Sequence, residues 1–209
     1  MLLPPGFRGA AFTDRGDGDP FADTEARRSI SNSLGIDVEW ATAMQVHGTS
    51  VLEATGAGYL GEGDAVMTTR IALPVAVKTA DCVPVVLEAA DAVAVVHAGW
   101  RGMVAGVVTA TVDTMRAADH NPLRAAIGPS IGPCCYEVGP EVSLGIDAPS
   151  VTTWGTTSVD LWTASAEQLE GVGVESVWTA AVCTMCSGDL NSYRADGTPH
   201  RQAAIGWLP

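Results

Sequence analysis

Six short apolar runs follow one another between residues 38 and 96, with no stretch of helical periodicity between them. Their lengths and their content of Val, Ile and Leu are typical of buried or half-buried strands. The runs are 38–46, 51–54, 65–69, 74–79, 83–87 and 92–96. This succession of strands with few helices predicts an α+β (mixed α/β) fold and does not fit a regular doubly wound sheet.

Helical periodicity is found in other parts of the chain. Apolar residues recur at helical spacing along 102–118 and form one stripe, which predicts the clearest helix. Shorter helices are predicted for 24–34 and 161–169, each with a glycine close behind its end. Further strands are predicted at 123–127, 175–182 and 202–207, and Gly-rich turns at 14–20 and 55–63. The chain shows no repeat and no linker, so we expect a single domain over residues 1–209.

The chain is strongly acidic, with 11 Lys and Arg against 24 Asp and Glu and a formal net charge of −13. Such a surface repels phosphate backbones and anionic lipids, so we expect neither nucleic-acid nor membrane binding. An anionic substrate would need a local positive pocket. The first residues lack the basic and apolar segments of an export signal, and the 5 cysteines are odd in number. We therefore expect a soluble, cytoplasmic protein with reduced thiols.

Three residues with metal-binding side chains occupy similar places relative to the predicted strands. His47 follows the first strand, Cys82 follows the fourth, and His97 ends the sixth. Side chains at strand ends point into a common mouth, where α/β proteins usually place their sites. Two imidazoles and one thiolate suit Zn²⁺ and leave a fourth position open, as in catalytic sites. Cu²⁺ competes for the same ligands, so the residue types alone do not fix the metal.

Two other features of the sequence have a chemical interpretation. Arg101 lies in the turn between the His97 strand and the next helix, where an arginine and free backbone N–H groups can form an anion site. The alternative is that Arg101 pairs with one of the many acidic residues. The remaining cysteines form an adjacent pair, 134 and 135, and a C-x-x-C, 183–186. Because adjacent side chains are poorly placed for joint ligation, we expect buried thiols here and not a Cys₄ zinc site.

Several motifs, in order along the chain, resemble those of the bacterial laccase-domain family, which is also named for polyphenol oxidases. They are QVHG (45–48), TADCVPV (79–85), HAGWRG (97–102), AIGPSIGPCCYEVG (126–139) and the C-terminal CT, SYR and RQA within 183–203. The resemblance implies a four-layer α/β/β/α sandwich with mixed sheets and a zinc site at His47, Cys82 and His97. It also implies a purine nucleoside phosphorylase. Such an enzyme cleaves adenosine, inosine and 5′-methylthioadenosine with phosphate to the free base and ribose 1-phosphate, with adenosine deaminase activity besides.

Motif position suggests further site residues. We expect Arg101 to hold phosphate and Asp81, beside Cys82, to orient a ligand or accept a hydrogen bond. Candidate substrate-binding residues are Arg15, Gln45, Tyr193 and Arg194. The chain departs from the family pattern in a shortened segment after Arg15 and in His200-Arg201, which stands in place of Gly-Arg. Both departures concern substrate range more than metal binding.

Other functions use the same residues. A multicopper oxidase would need many more imidazoles than the 4 histidines present, although dye oxidation by a copper-loaded form stays open. A metal-free hydrolase could use Cys82 as nucleophile with His97 or His47 as base. A non-catalytic zinc-binding module is the third alternative. The preferred nucleoside, the balance of phosphorolysis and deamination, and the choice between monomer and homodimer are left open by the sequence.

Overall fold

A computed structural model describes all residues, 1–209. The helices are α1 (Thr24–Leu34), α2 (Trp100–Ala105), α3 (Val107–Ala117), α4 (Pro140–Ser143), α5 (Leu161–Gly171) and α6 (Tyr193–Asp196). The first seven strands are β1 (Ala10–Phe12), β2 (Ala41–Met44), β3 (Val51–Glu53), β4 (Gly58–Glu62), β5 (Ala65–Thr68), β6 (Val75–Thr79) and β7 (Val83–Glu88). The others are β8 (Val93–Ala98), β9 (Arg124–Ile127), β10 (Pro149–Val151), β11 (Thr157–Val159), β12 (Ser176–Thr179) and β13 (Gln202–Gly206). No helix combines the length and the apolar character needed to cross a lipid bilayer.

The strands form two large mixed sheets and one small hairpin. The five-stranded sheet has the order β1-β13-β6-β2-β4, and the six-stranded sheet has the order β12-β9-β7-β8-β5-β3. Strands β10 and β11 form the antiparallel hairpin. In the six-stranded sheet, β7 pairs antiparallel with both β8 and β9. The chain passes from one large sheet to the other between β6 and β7, so the short turn at 80–82 lies at a junction of the two sheets.

Three hydrophobic clusters separate four layers of structure. The largest lies between the six-stranded sheet and helices α2, α3 and α5. A second, made mostly of Ala and Val, lies between the two sheets. A third packs α1 on the outer face of the five-stranded sheet through Ile30, Trp40 and Ile205. This arrangement confirms the expected four-layer α/β/β/α sandwich. Strands β7 and β8 are buried at every residue, which explains why they read as continuous apolar runs.

The structure confirms most of the predicted elements and corrects some of them. Helix α1 has the predicted bounds, with an Asp23 side chain at its start and a left-handed Gly35 at its end. The helix predicted over 102–118 is two helices, because Gly106 at φ 86° ends α2 in the left-handed region and α3 begins after it. The stretch 55–63 is not only a turn, since it contains β4, which pairs with β2 through backbone hydrogen bonds.

Candidate metal centre and its cavity

The structure brings His47, Cys82 and His97 together at the junction of the two sheets. His47 follows β2 of the five-stranded sheet, His97 lies in β8 of the six-stranded sheet, and Cys82 lies in the turn between the sheets. One ligand atom from each residue lies within 4.8 Å of the others. The distance from Cys82 Sγ to His47 Nε2 is 3.9 Å, and the two imidazole centroids are 4.9 Å apart.

A buried carboxylate, Asp64, organises the two histidines. Its oxygens accept hydrogen bonds from the backbone N–H groups of Val46 (3.1 Å), His47 (2.9 Å) and Gly48 (2.7 Å). His47 is thereby held at φ 60°, a backbone conformation that few non-glycine residues adopt. Asp64 Oδ1 also lies 2.8 Å from His97 Nδ1. A proton on Nδ1 leaves Nε2 of His97 free as a ligand, which is the usual arrangement of metal-binding histidines.

The turn that carries Cys82 is also fixed by a carboxylate. Asp81 has φ 95°, outside the range preferred by residues with a side chain. Its carboxylate accepts hydrogen bonds from Thr184 Oγ1 (2.6 Å) and from the backbone N–H of Arg194 (2.7 Å). Its own carbonyl accepts the N–H of Ile131 (2.9 Å). Asp81 therefore ties three segments of chain to the Cys82 turn, and both of its carboxylate oxygens have partners.

The electrostatics of the three residues favour a thiolate. Burial alone would raise the pKa of Cys82, but hydrogen bonds and charge from His47 and His97 outweigh it and lower the pKa to about 6. Burial alone would lower the pKa of His97, but its hydrogen bonds to Asp64 and Cys82 raise the pKa to about 9. The metal-free pair at neutral pH is therefore a thiolate beside an imidazolium. A thiolate is also the form in which cysteine binds a metal.

The space between the three ligands fits a metal ion. A Cβ built on Gly99 would lie 2.6 Å from His47 Cδ2 and 3.3 Å from Cys82 Sγ, so only a glycine leaves this space free. Zn²⁺ binds imidazole nitrogen at about 2.0–2.1 Å and thiolate sulfur at about 2.3 Å, which small movements of these side chains would allow. The donor set suits Zn²⁺ or copper, and three protein ligands leave a position for another molecule.

A cavity of about 470 Å³ opens in front of the three ligands. This volume is in the range of small-molecule sites. Three cations line it, namely Lys78, Arg194 and Arg201. Lys78 is the only lysine of this acidic chain. The apolar part of the wall consists mainly of Trp100, Ile131, Tyr136 and Tyr193. The cavity therefore combines local positive charge with aromatic surfaces.

The guanidinium groups of this cavity are held by the protein itself. The Arg194 side chain donates to the carbonyl of Glu137 (2.9 Å), and its Cζ lies 5.4 Å from the Tyr136 ring centroid. Arg201 donates to the carbonyls of Thr198 (2.8 Å) and His200 (2.9 Å). Because these contacts use only one nitrogen of each side chain, other N–H groups of both arginines stay available to an anion.

Seven of the nine residues singled out from the sequence line this cavity, and two do not. The seven are Gln45, His47, Asp81, Cys82, His97, Tyr193 and Arg194. Arg101 is exposed and its guanidinium stacks on Trp100 at 4.4 Å, although its charge still lowers the pKa of Tyr136 against the raising effect of burial. Arg15 lines a neighbouring cavity and donates to the carbonyl of Leu190 (2.9 Å). The Gln45 amide is paired with both backbone groups of Lys78, which ties β2 to β6.

The sequence alone does not indicate Asp64, Lys78 or Tyr136 as residues of this site, and it marks Arg201 only as part of a departure from the family pattern. Asp64 and His97 are 33 residues apart, and no local pattern connects them. Lys78 directly precedes the TADCVPV motif, and Tyr136 lies inside AIGPSIGPCCYEVG. The available signal for Lys78 was that the one lysine of an acidic chain stands four residues before Cys82. The loop with Tyr136 is rich in Gly and Pro, and it does form a wall of the cavity.

Comparisons with known proteins agree with the fold and with the motifs. Residues 9–209 match the family described as multi-copper polyphenol oxidoreductase laccase. A Streptomyces coelicolor protein named purine nucleoside phosphorylase is 40% identical over 205 residues, covering 91% of this chain and 84% of the relative. A Deinococcus radiodurans protein of the same name is 36% identical, covering 97% and 83%. The crystal structure of YlmD from Geobacillus stearothermophilus superposes with a TM-score of 0.87 at 28% identity, covering 98% and 94%. The chain belongs to the multi-copper polyphenol oxidoreductase laccase family.

Proposed function

We propose that this protein is a zinc-dependent purine nucleoside phosphorylase that cleaves adenosine, inosine and 5′-methylthioadenosine, with adenosine deaminase as a side activity. The observation that carries the proposal is the cavity in which a His₂Cys centre faces three cations and an aromatic wall. Relatives named purine nucleoside phosphorylase support the same reaction class. When bound, Zn²⁺ at His47, Cys82 and His97 would supply Lewis acidity toward an oxygen in the cavity.

The cations of the cavity suit the phosphate that the reaction consumes. Arg194 and Arg201 are held by backbone carbonyls, so little side-chain freedom is lost when they bind an anion. Lys78 forms no ion pair with any carboxylate and adds a third positive charge. Arg101, at the edge, adds positive potential that attracts phosphate toward a site on an otherwise acidic protein. The purine ring would stack against the aromatic wall, where Trp100 and Tyr136 lie.

The reaction itself is a displacement at C1′ of the ribose. A phosphate oxygen forms a bond to C1′ while the bond between C1′ and the purine nitrogen breaks, and the electron pair of that bond stays on the base. The proton lost by hydrogen phosphate ends on the base, so the products are the free purine and ribose 1-phosphate. Developing positive charge on the ribose is stabilised by the bound phosphate, and the protein contributes by holding both reactants in line. Asp81 acts in positioning, since it fixes the Cys82 turn.

The test is an incubation of protein of known metal content with adenosine, with and without phosphate. Adenine formed only with phosphate supports phosphorolysis, and inosine formed in both samples supports the deaminase activity. His47→Ala should abolish turnover and lower the metal content by one equivalent. His120→Ala is the matched control, because His120 pairs with Asp91 outside the cavity (2.9 Å). Metal-loaded protein that leaves adenosine unchanged in both samples would refute the proposal and leave the thiol hydrolase or a zinc-binding module.

A second candidate function follows from the thiolate. The lowered pKa of Cys82 and the adjacent His97 resemble the nucleophile and base of a cysteine hydrolase. In that case the metal-free protein would be active, and one equivalent of an alkylating agent at Cys82 would abolish the activity. Loss of activity on chelation, restored by Zn²⁺, would exclude this mechanism.

A further inference from the structure

The four cysteines outside the candidate metal centre form a second cluster. Cys134, Cys135, Cys183 and Cys186 place their sulfur atoms within 4.8 Å of one another. Cys186 Sγ lies 3.5 Å from Cys134 Sγ and 3.1 Å from Cys135 Sγ. The sequence suggested separate buried thiols, because adjacent cysteines usually point apart. The structure shows instead that both members of the adjacent pair reach the same third sulfur.

Local backbone geometry explains how the adjacent pair converges. The N–H groups of Cys135 and Tyr136 both donate to the carbonyl of Gly132 (3.0 Å each), which closes a tight turn around the pair. A Cβ on Gly132 would lie 2.6 Å from the Trp162 ring and 3.1 Å from Cys183 Cβ, so glycine permits the close approach of this turn to the C-x-x-C segment. The N–H of Gly132 donates to Cys183 Sγ (3.2 Å).

The surroundings of Cys183 favour a negatively charged sulfur. Burial raises the pKa of Cys183, but the backbone N–H groups of Gly132 and Cys186, the Cys134 thiol and the backbone N–H of Met185 together lower the pKa by more. Such a set of donors stabilises a thiolate. The pKa values of Cys134 and Cys135 are raised, by burial first and then by the neighbouring sulfurs. Four sulfur atoms within 4.8 Å of one another are close enough for one cation to bind all of them.

We propose that Cys134, Cys135, Cys183 and Cys186 form a second metal site, a closed tetrathiolate centre for Zn²⁺. A tetrahedron with Zn–S bonds of about 2.3 Å has S···S edges of about 3.8 Å. Two of the sulfur pairs lie at 3.5 and 3.1 Å, slightly closer than that edge, and no pair is farther apart than 4.8 Å. With four protein ligands no position stays open for substrate, so the site is structural.

The position of the cluster indicates what this metal would stabilise. It joins residues 128–139 to residues 180–192, two segments without helix or regular strand. The first supplies Ile131 and Tyr136 to the cavity wall. The second supplies Thr184, whose hydroxyl donates to Asp81 beside Cys82. A metal at the cluster would therefore hold the wall of the first site without contacting the substrate.

The test is metal analysis of the whole protein and of Cys82→Ala, which removes a ligand of the first site only. After dialysis against a weak chelator, we expect two Zn²⁺ per wild-type chain and one per Cys82→Ala chain. X-ray absorption of the Cys82→Ala protein should show a first shell of sulfur alone at about 2.3 Å. Substitution by Co²⁺ should give the intense visible bands of a tetrahedral tetrathiolate.

Cys186→Ser should lose the second ion and keep the first. If Cys186→Ser does not fold, the Cys82→Ala measurements decide the question, because they leave the cluster intact. One Zn²⁺ per wild-type chain and none in Cys82→Ala would overturn the proposal. A disulfide within the cluster, detected by mass as the loss of two hydrogens in protein purified under reducing-agent-free conditions with zinc present, would also overturn it.

Discussion

Replacing Asp64 by Asn tests whether one carboxylate organises both histidines of the metal centre. The substitution keeps the shape of the side chain and removes its charge and one acceptor. Asp64 is fully buried and accepts four hydrogen bonds, two at each oxygen. In the Asp64→Asn variant, one of those two oxygen positions holds an NH₂ group, which donates and cannot accept.

Either orientation of the new amide disturbs the histidines. With NH₂ at the Oδ2 position, the N–H groups of Val46 and Gly48 lose their acceptor, and the strained His47 turn loses part of its support. With NH₂ at the Oδ1 position, the N–H of His47 loses its acceptor, and His97 must accept on Nδ1 and carry its proton on Nε2, the nitrogen that would bind the metal.

The expected loss of stability follows from the number of hydrogen bonds that the substitution removes. Two partly buried hydrogen bonds are lost in either orientation, at roughly 0.5–1.5 kcal/mol each, so the metal-free variant should lose about 1–3 kcal/mol of unfolding free energy. Removing the carboxylate partner of a ligating histidine typically lowers metal affinity about 10–100-fold, or about 1.4–2.7 kcal/mol. The two effects are separable because the first is measured without metal.

Urea unfolding of the metal-free protein gives the stability change, and competition with a chromophoric chelator gives the Zn²⁺ affinity. Asp160→Asn is the matched control, because Asp160 also accepts two backbone N–H groups, at the start of α5, but contacts no ligand. We expect that control to keep wild-type affinity. Asp64→Asn with unchanged stability and an affinity within about threefold of wild type would refute the role given to this carboxylate.

Three further changes test the site. Gly99→Ala should abolish metal binding at the first site, because its Cβ would enter the space between His47 and Cys82. The control Gly171→Ala, whose Cβ meets nothing within 4 Å, should bind normally, and equal affinities of the two variants by calorimetry would contradict this. Lys78→Gln should raise the KM for phosphate roughly tenfold with little change in kcat, while the control Arg70→Gln, outside the cavity, should leave that KM unchanged. An unchanged KM in Lys78→Gln would exclude Lys78 from the phosphate site. In metal-free protein, the rate of Cys82 alkylation, followed by peptide mass, should be half-maximal near pH 6 and level from about pH 7 upward, because the pKa of Cys82 is lowered to about 6 and the thiolate is the form present above it. A rate still rising at pH 8, as for an ordinary thiol, would count against the thiolate.

The sequence predicts the parts of this structure that depend on local patterns. Helix α1 has its apolar residues, its Asp23 cap and its Gly35 end within one short window, and it has the predicted bounds. The sequence predicts that His47, Cys82 and His97 lie together because each follows or ends an apolar strand. They do lie together, although at the junction of two sheets and not at the edge of one. The apolar periodicity along 102–118 predicts which face of this helical segment is buried, but it cannot show that Gly106 divides the segment into two helices.

Features that depend on contacts between distant segments were missed. The pairing of Asp64 with His97 and the entry of Arg201 into the cavity arise only when the two sheets pack. The convergence of the four cysteine sulfurs could not be predicted from adjacency, because the turn closed at Gly132 and its approach to Cys183 involve segments 51 residues apart. The sequence predicts a turn where β4 lies, because β4 pairs with β2 through the backbone of a Gly-rich segment whose side chains show no strand pattern.

The ligands of the first centre belong to different layers of the sandwich, and this has a mechanical consequence. The contact between the two sheets is made mainly of Ala and Val side chains. Because such contacts are non-directional, burial of apolar area alone does not select one alignment against a sliding of the sheets. An ion held by His47 after β2 and by His97 in β8 would oppose that sliding directly. The alignment of the two sheets and the occupancy of the centre would then depend on each other, so that a load that shears the sandwich would also release the metal.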